Sequence, residues 1–207
     1  MIKTVLITGS ARRIGAGLAK ALGNEGWHVC VHFNQSAHDA ATVVSDIKAA
    51  GGIASAIQAN LEEPAAASQL VEQCNKVSGP LTCLVNNASI FEHDGIEDIS
   101  AKGLDQHHAV NLRAPMLLAS SFAEQLPKDQ TGNIVNILDN KVLALNPDYL
   151  SYTISKIALT GATEALAMAL APRIKVNGIA PGITLLSGEQ SENRFEIAHT
   201  PNPLKQG

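Results

Sequence analysis

Six short runs rich in β-branched and aliphatic residues recur along the chain, separated by longer, alanine-rich stretches: TVLIT at 4–8, HVCVHF at 28–33, IASAIQA at 53–59, LTCLVNNA at 81–88, NIVNIL at 133–138 and IKVNGIA at 174–180. Several of these runs are apolar throughout instead of alternating, as strands are when both faces of their sheet are covered, and the stretches between them carry helical patterns. This alternation predicts a doubly wound α/β fold, a mostly parallel sheet flanked by helices. In AHDAATVVSDIKAAG at 37–51, Ser36 is placed to cap the start of a helix and Gly51 to end it. Ile157, Leu159, Ala162, Leu166 and Leu170 supply aliphatic groups to the helix that follows Tyr152.

A chain of 207 residues, 45% hydrophobic, can bury a sizeable core and reads as one domain over 1–207, with no internal repeat and no low-complexity linker. The net charge of −4 is spread without long like-charge runs, so neither a nucleic acid nor an anionic membrane surface is an expected partner. Cys30, Cys74 and Cys83 form no Cys-x-x-Cys pair, and their odd number points to a reducing compartment. The N-terminal apolar run leads straight into a glycine turn and reads as a first strand, not a signal peptide; no run approaches the roughly 18–20 apolar residues of a membrane span. A soluble, cytoplasmic protein is expected. The polar, proline-containing segment 183–207 reads as a mobile substrate loop or a truncated end.

The first strand runs into a turn from Thr8 to Gly15 and then a helix, AGLAKALGNEG. A glycine-rich strand-to-helix turn lets backbone N–H groups and the positive end of the helix approach a pyrophosphate, so a dinucleotide site of the Rossmann type is expected there. The second strand ends in His32, Phe33, Asn34, Gln35 and Ser36 without an acid to bond both hydroxyls of an adenosine ribose. A 2′-phosphate would meet no repulsion there, and Arg12 and Ser36 can hold it, which favours NADP.

Tyr152 and Lys156 stand one helical turn apart, and an ammonium beside a phenol favours phenolate, lowering the donor's pKa toward working pH. Asp139 lies thirteen residues before the tyrosine. Tyr149 has no lysine four residues on and reads as a surface or pocket-wall aromatic. No metal site is expected: His107 and His108 diverge on a helix and read as solvated. Glu92, His93 and Asp94 read as a polar loop, and no Gly-x-Ser-x-Gly elbow supports a hydrolase.

Taken with Asn86-Asn87-Ala88, Asn111 and Pro181-Gly182, these motifs resemble the short-chain dehydrogenase/reductase family over nearly the whole chain. The resemblance implies that Asn111, Tyr152 and Lys156 belong to the catalytic set and that Lys156 also holds the nicotinamide ribose. Cofactor contacts are then expected from Gly9, Arg12, Arg13, Ile14 and Gly15; from Phe33, Asn34 and Ser36; from Asn60 and Leu61; from Asn87, Ala88 and Ser89; and from Pro181, Gly182 and Ile183. Most of the family has Ser where this chain has Asp139. That aspartate, the double-basic first turn and the run Asn87 to Phe91 resemble the pteridine reductase and dihydromonapterin (dihydrofolate) reductase branch. In that branch the carboxylate cooperates with Tyr152 in proton delivery to a pterin nitrogen while NADPH supplies hydride to carbon. Phe91 would stack on the pterin, with Ser89 beside it. Related chains usually continue through a further helix and a seventh strand, which residues 1–207 are expected to lack, and the family suggests a homo-oligomer, a dimer or tetramer. Two other readings stay open: a carbonyl reductase acting on a ketone or sugar, and a noncatalytic NADP-binding module.

Overall fold

All six expected strands form. The computed structural model describes residues 3–182 and 184, in which β1 (Thr4–Ile7), β2 (His28–Phe33), β3 (Ile53–Gln58), β4 (Cys83–Asn86), β5 (Gly132–Ile137) and β6 (Ile174–Ile179) alternate with helices. The helices are α1 (Arg13–Asn24), α2 (Ala37–Ala49), α3 (Ala66–Ser78), α4 (Ala101–His108), α5 (Ala114–Gln125) and α6 (Leu150–Leu170). The strands make one sheet, all parallel, in the order β3-β2-β1-β4-β5-β6. The segment expected to be a substrate loop, 183–207, lies outside the described residues apart from Thr184.

Side chains alternate across each strand, and this divides the core into two layers. Leu6 of β1 packs with Leu70, Leu84, Leu118, Phe122 and Ile134, on the face covered by α3 and α5. Its neighbours Val5 and Ile7 point the other way, into Val29, Val31, Val43, Ile47 and Val85, beneath α1 and α2. Because both faces are covered, the strands need apolar residues at successive positions, and the unbroken burial of β1 follows.

Three local expectations change. The first helix starts at Arg13, three residues earlier than its apolar pattern indicates. Ser36 stands at the start of α2 but its side chain makes no capping bond; Gly51, with φ +86°, does follow the helix end. Asn111 sits not in a regular α-helix but in a π-helical turn, Ala109–Arg113, that joins α4 to α5. Such a turn widens the helix by one residue and swings a side chain out of register, a device common at functional sites.

The strand order reverses between β1 and β4, whose C-terminal ends splay into a crevice, the position where this class of sheet binds ligands. There Gly9 adopts φ +62°, and a Cβ on it would lie 2.9 Å from the Cα of Ala88. Thr8 clasps the two strand ends: its Oγ1 accepts from the backbone N–H of Asn87 at 2.9 Å and of Ala88 at 3.0 Å.

Candidate active site

A cavity of about 940 Å³ runs along this crevice, from the β1–α1 turn and the ends of β2 and β3 to the first turns of α6. Of the residues expected to contact a cofactor, Gly9, Arg12, Arg13, Ile14, Gly15, Asn34, Asn60, Leu61, Asn87, Ala88, Ser89, Tyr152, Lys156, Pro181 and Gly182 line it. Phe33 does not, because strand alternation turns its ring onto the packed layer under α1 and α2. Ser36 also lies off the wall, and Ile183 is outside the described residues. Asn86 faces away as well; its amide donates to Asn136 Oδ1 at 2.8 Å beneath the sheet, so the lining part of the Asn86-Asn87-Ala88 step is its last two residues.

The glycine turn is built for an anion. No acidic side chain stands in the first turn of α1 and its N-cap residue, Arg12, makes no side-chain cap, so the positive helix end faces the cavity through Arg13, Ile14 and Gly15. Gly15 has to be glycine, since a Cβ there would stand 2.4 Å from the carbonyl oxygen of Gly9 and 2.6 Å from Asn87 Nδ2. Asn87 Nδ2 in turn donates to the carbonyls of Thr8 at 2.8 Å and Gly9 at 3.0 Å. At the far end, Asn60 Oδ1 accepts from the Glu62 amide at 3.1 Å. The end of β2 has no acid, as expected, but the expectation that a 2′-phosphate would meet no carboxylate needs correction: Asp39, in the first turn of α2, pairs with Arg12 Nε at 2.5 Å.

At the opposite end, Tyr152 Oη donates to Asp139 Oδ2 at 2.6 Å. Burial, and then the hydrogen bond to and charge of Asp139, push the Tyr152 phenol well above its ordinary range, with Arg13 pulling weakly the other way. The phenol thus shifts opposite to the direction expected from its spacing to Lys156, through burial and Asp139. The lysine Nζ donates to the Ile137 carbonyl at 2.8 Å and lies 5.6 Å from the centre of the tyrosine ring. Burial pulls its own pKa down to about 8, while Asp139 opposes that fall. At neutral pH Tyr152 is therefore an un-ionised hydroxyl whose proton points at the carboxyl group of Asp139.

Asn111 lies behind the wall instead of on it, fully buried. Its Oδ1 accepts from the Ile90 amide at 2.8 Å and the Ser89 hydroxyl at 3.2 Å, and its Nδ2 donates to the Ile90 carbonyl and to Ser155 Oγ, both at 3.0 Å. It thus joins the loop after β4 to α6, one turn from Tyr152.

Two further contacts tie that loop to α6, and neither was legible in the sequence. Asp94 caps the helix: Oδ1 accepts from the Ser151 amide at 3.0 Å and Oδ2 from the Ser151 hydroxyl. Burial opposes ionisation of Asp94, but these bonds and the nearby His107 outweigh it and lower its pKa. His107, expected to be solvated, is buried, with Nδ1 2.8 Å from the Gly103 carbonyl oxygen. Phe91 stacks face to face on Tyr149, centroids 4.2 Å apart and planes 5° from parallel, and meets Tyr152 edge-on at 4.7 Å. Tyr149 holds left-handed backbone geometry, φ 58°, at the N-cap of α6 and lines the cavity. His32 and Lys141 line it too, without having been expected to.

Comparison with known proteins places this arrangement. Residues 3–196 match the family model for short chain dehydrogenases. The chain belongs to the short-chain dehydrogenase family. This short-chain dehydrogenase superposes on the crystal structure of FolM alternative dihydrofolate reductase 1 from Brucella canis, complexed with NADP, with a TM-score of 0.95 and 43% identity, covering 99% of this chain and 81% of the other. Angucycline C-6 ketoreductase LanV with bound NADP gives a TM-score of 0.90 at 30% identity, covering 99% and 82%. Pteridine reductase 1 of Leishmania tarentolae is 33% identical, over 97% of this chain and 83% of the relative. Among the described residues, no helix of this dehydrogenase is long and apolar enough to cross a membrane.

Proposed function

We propose that this short-chain dehydrogenase is an NADPH-dependent reductase of a pterin or folate-like C=N bond. The observation that carries the reading is the 2.6 Å bond from Tyr152 Oη to Asp139 Oδ2, at the end of the cavity that also holds Phe91. Reducing a C=N bond adds hydride to carbon and a proton to nitrogen. Bound at the glycine turn, NADPH would supply the hydride. Arg13, Ile14 and Gly15 would hold its pyrophosphate, Arg12 its 2′-phosphate, Asn60 and Leu61 its adenine, and Lys156 its nicotinamide ribose.

Tyr152 donates the proton from an un-ionised hydroxyl; Asp139 orients that hydroxyl and the proton is restored from solvent. Asn111 organises the site by holding the loop of Ser89 and Phe91 against α6, and Phe91 and Tyr149, stacked on each other, give the cavity an aromatic wall suited to a flat bicyclic ring. The similarity to FolM alternative dihydrofolate reductase 1 and to pteridine reductase 1 supports this substrate class. The similarity to LanV favours a second reading, carbonyl reduction by the same tyrosine. Cys30, Cys74 and Cys83 are buried free thiols, in keeping with a reducing, cytoplasmic location.

The test is Asp139→Ser. Turnover of a 7,8-dihydropterin should fall at least tenfold in the variant, with ketone turnover less affected. Unchanged dihydropterin turnover would remove the carboxylate from the proposal and favour the carbonyl reading.

A further inference from the structure

His32 has no part in the chemistry just described, yet it stands in the floor of the cavity between the glycine turn and the end of β3. It is 2% exposed. Its Nδ1 accepts the backbone N–H of Gly9 at 2.9 Å, and its Nε2 lies 3.1 Å from the carbonyl oxygen of Ala59. An amide can only donate and a carbonyl can only accept, so the two contacts together select one state: neutral imidazole with the proton on Nε2. The backbone continues the connection. The carbonyl of His32 accepts from the Ser10 amide at 2.9 Å, and that of Phe33 accepts from the Ala59 amide at 3.0 Å. Burial keeps the imidazole neutral, lowering its pKa to about 4, with the bond to Ala59 opposing and no neighbouring charge contributing.

We infer that His32 is a positioning residue for the dinucleotide, a strut that fixes the pyrophosphate turn relative to the adenine end of the site. The inference rests on the cofactor reading above and adds two statements to it. First, the Gly9 amide is occupied by imidazole and does not reach phosphate, so the anion is held by the first turn of α1. Second, the spacing between Gly9 and the Ala59-Asn60-Leu61 segment is set by one rigid ring bonded at both ends, in parallel with the backbone bonds of Ser10 and Ala59 to β2. A flexible side chain would leave that spacing to be fixed on binding, at a cost in affinity.

The two ends can be cut separately. His32→Asn retains an acceptor near the Nδ1 position and loses the bond to Ala59; His32→Gln retains a donor near the Nε2 position and loses the bond to Gly9. NADPH fluorescence titrations, without any second substrate, should give a Kd raised about tenfold or more in both variants, the effect of losing one buried hydrogen bond within the site. In turnover the loss should fall on KM for NADPH more than on kcat. A Leu126→Ala variant, destabilised at the opposite end of β5 where Leu126 packs against Gly132, controls for stability. Its NADPH affinity should stay within twofold of wild type even where its melting temperature matches theirs. Nitrogen-15 NMR of the ligand-free wild-type chain should find His32 as the neutral Nε2–H tautomer from pH 7 to pH 5.

An Nδ1–H tautomer, a Kd within twofold of wild type in both histidine variants, or an equal loss in the control would overturn the inference. In those cases the dinucleotide reading survives, because wild type still binds NADPH. A wild-type chain with no measurable affinity for NADPH removes both.

Discussion

Lys156 is expected to cost the ligand-free fold stability, and Lys156→Met measures how much. Lys156 is 3% exposed, and among the described residues its ammonium donates to the carbonyl of Ile137. Burial carries its pKa from an ordinary 10.5 to about 8. At 1.36 kcal/mol per pH unit, this corresponds to about 3 kcal/mol against the charged form in the folded state. The sign follows from proton counting. Between pH 8 and pH 10.5 the unfolded chain holds the lysine proton and the folded chain has released it, so stability rises with pH across that window. Below pH 8 the penalty is present in full.

Methionine has nearly the same length and no charge, and it removes this dependence, at the cost of leaving the Ile137 carbonyl without its donor, about 1–3 kcal/mol. The two effects nearly offset at pH 7, so the informative quantity is the change with pH. Urea unfolding at pH 7 and pH 10.5 should show the difference between wild type and Lys156→Met moving by about 3 kcal/mol in favour of wild type at the higher pH. Other titrating groups are common to both chains and cancel. Parallel stability curves would refute the argument that burial, and not a compensating partner, sets the state of Lys156.

Other substitutions probe the rest of the cavity. Arg12→Glu should weaken NADPH binding at least tenfold more than NADH binding, measured by titration. Asp39→Asn, which frees Arg12 from its 2.5 Å partner, should strengthen NADPH binding a few-fold. Gly15→Ala drives a Cβ to 2.4 Å from a backbone oxygen and should abolish dinucleotide binding in calorimetry. Asp94→Ala removes the cap of α6 and strands the Ser151 amide, so it should cost about 1–2 kcal/mol in thermal unfolding and lower kcat through a misplaced Tyr152. The expected homo-oligomer is tested by light scattering. Leu104 and Ile154, each more than a third exposed beside a shallow hollow between α4 and α6, should lose solvent exposure on assembly.

Backbone pattern was legible in the sequence because strand burial on both faces forces continuous apolar runs, and β1 to β6 each fall within one or two residues of their expected bounds. The pairing of Asp139 with Tyr152 could likewise be anticipated from spacing and resemblance. What sequence could not give was the direction of single side chains at strand ends. His32 and Phe33 are adjacent, yet one forms part of the cavity floor and the other packs into the core under α1 and α2. Asp39 looked remote from Arg12 until α1 and α2 packed side by side. Asp94 read as loop polarity because the helix it caps begins 56 residues later, at Leu150. The expected influence of Lys156 on the phenol failed for a related reason: spacing fixed the helical turn but not the carbonyl that the ammonium reaches.

Proton delivery by Tyr152 to a pterin nitrogen is put to the test by NADPH oxidation, followed at 340 nm. The purified chain is assayed with a 7,8-dihydropterin, with dihydrofolate and with a panel of small ketones, alongside Tyr152→Phe. Dihydropterin- or dihydrofolate-dependent oxidation is expected, falling at least a hundredfold in the variant. Oxidation with ketones alone, or pterin turnover that survives the loss of the hydroxyl, would contradict it.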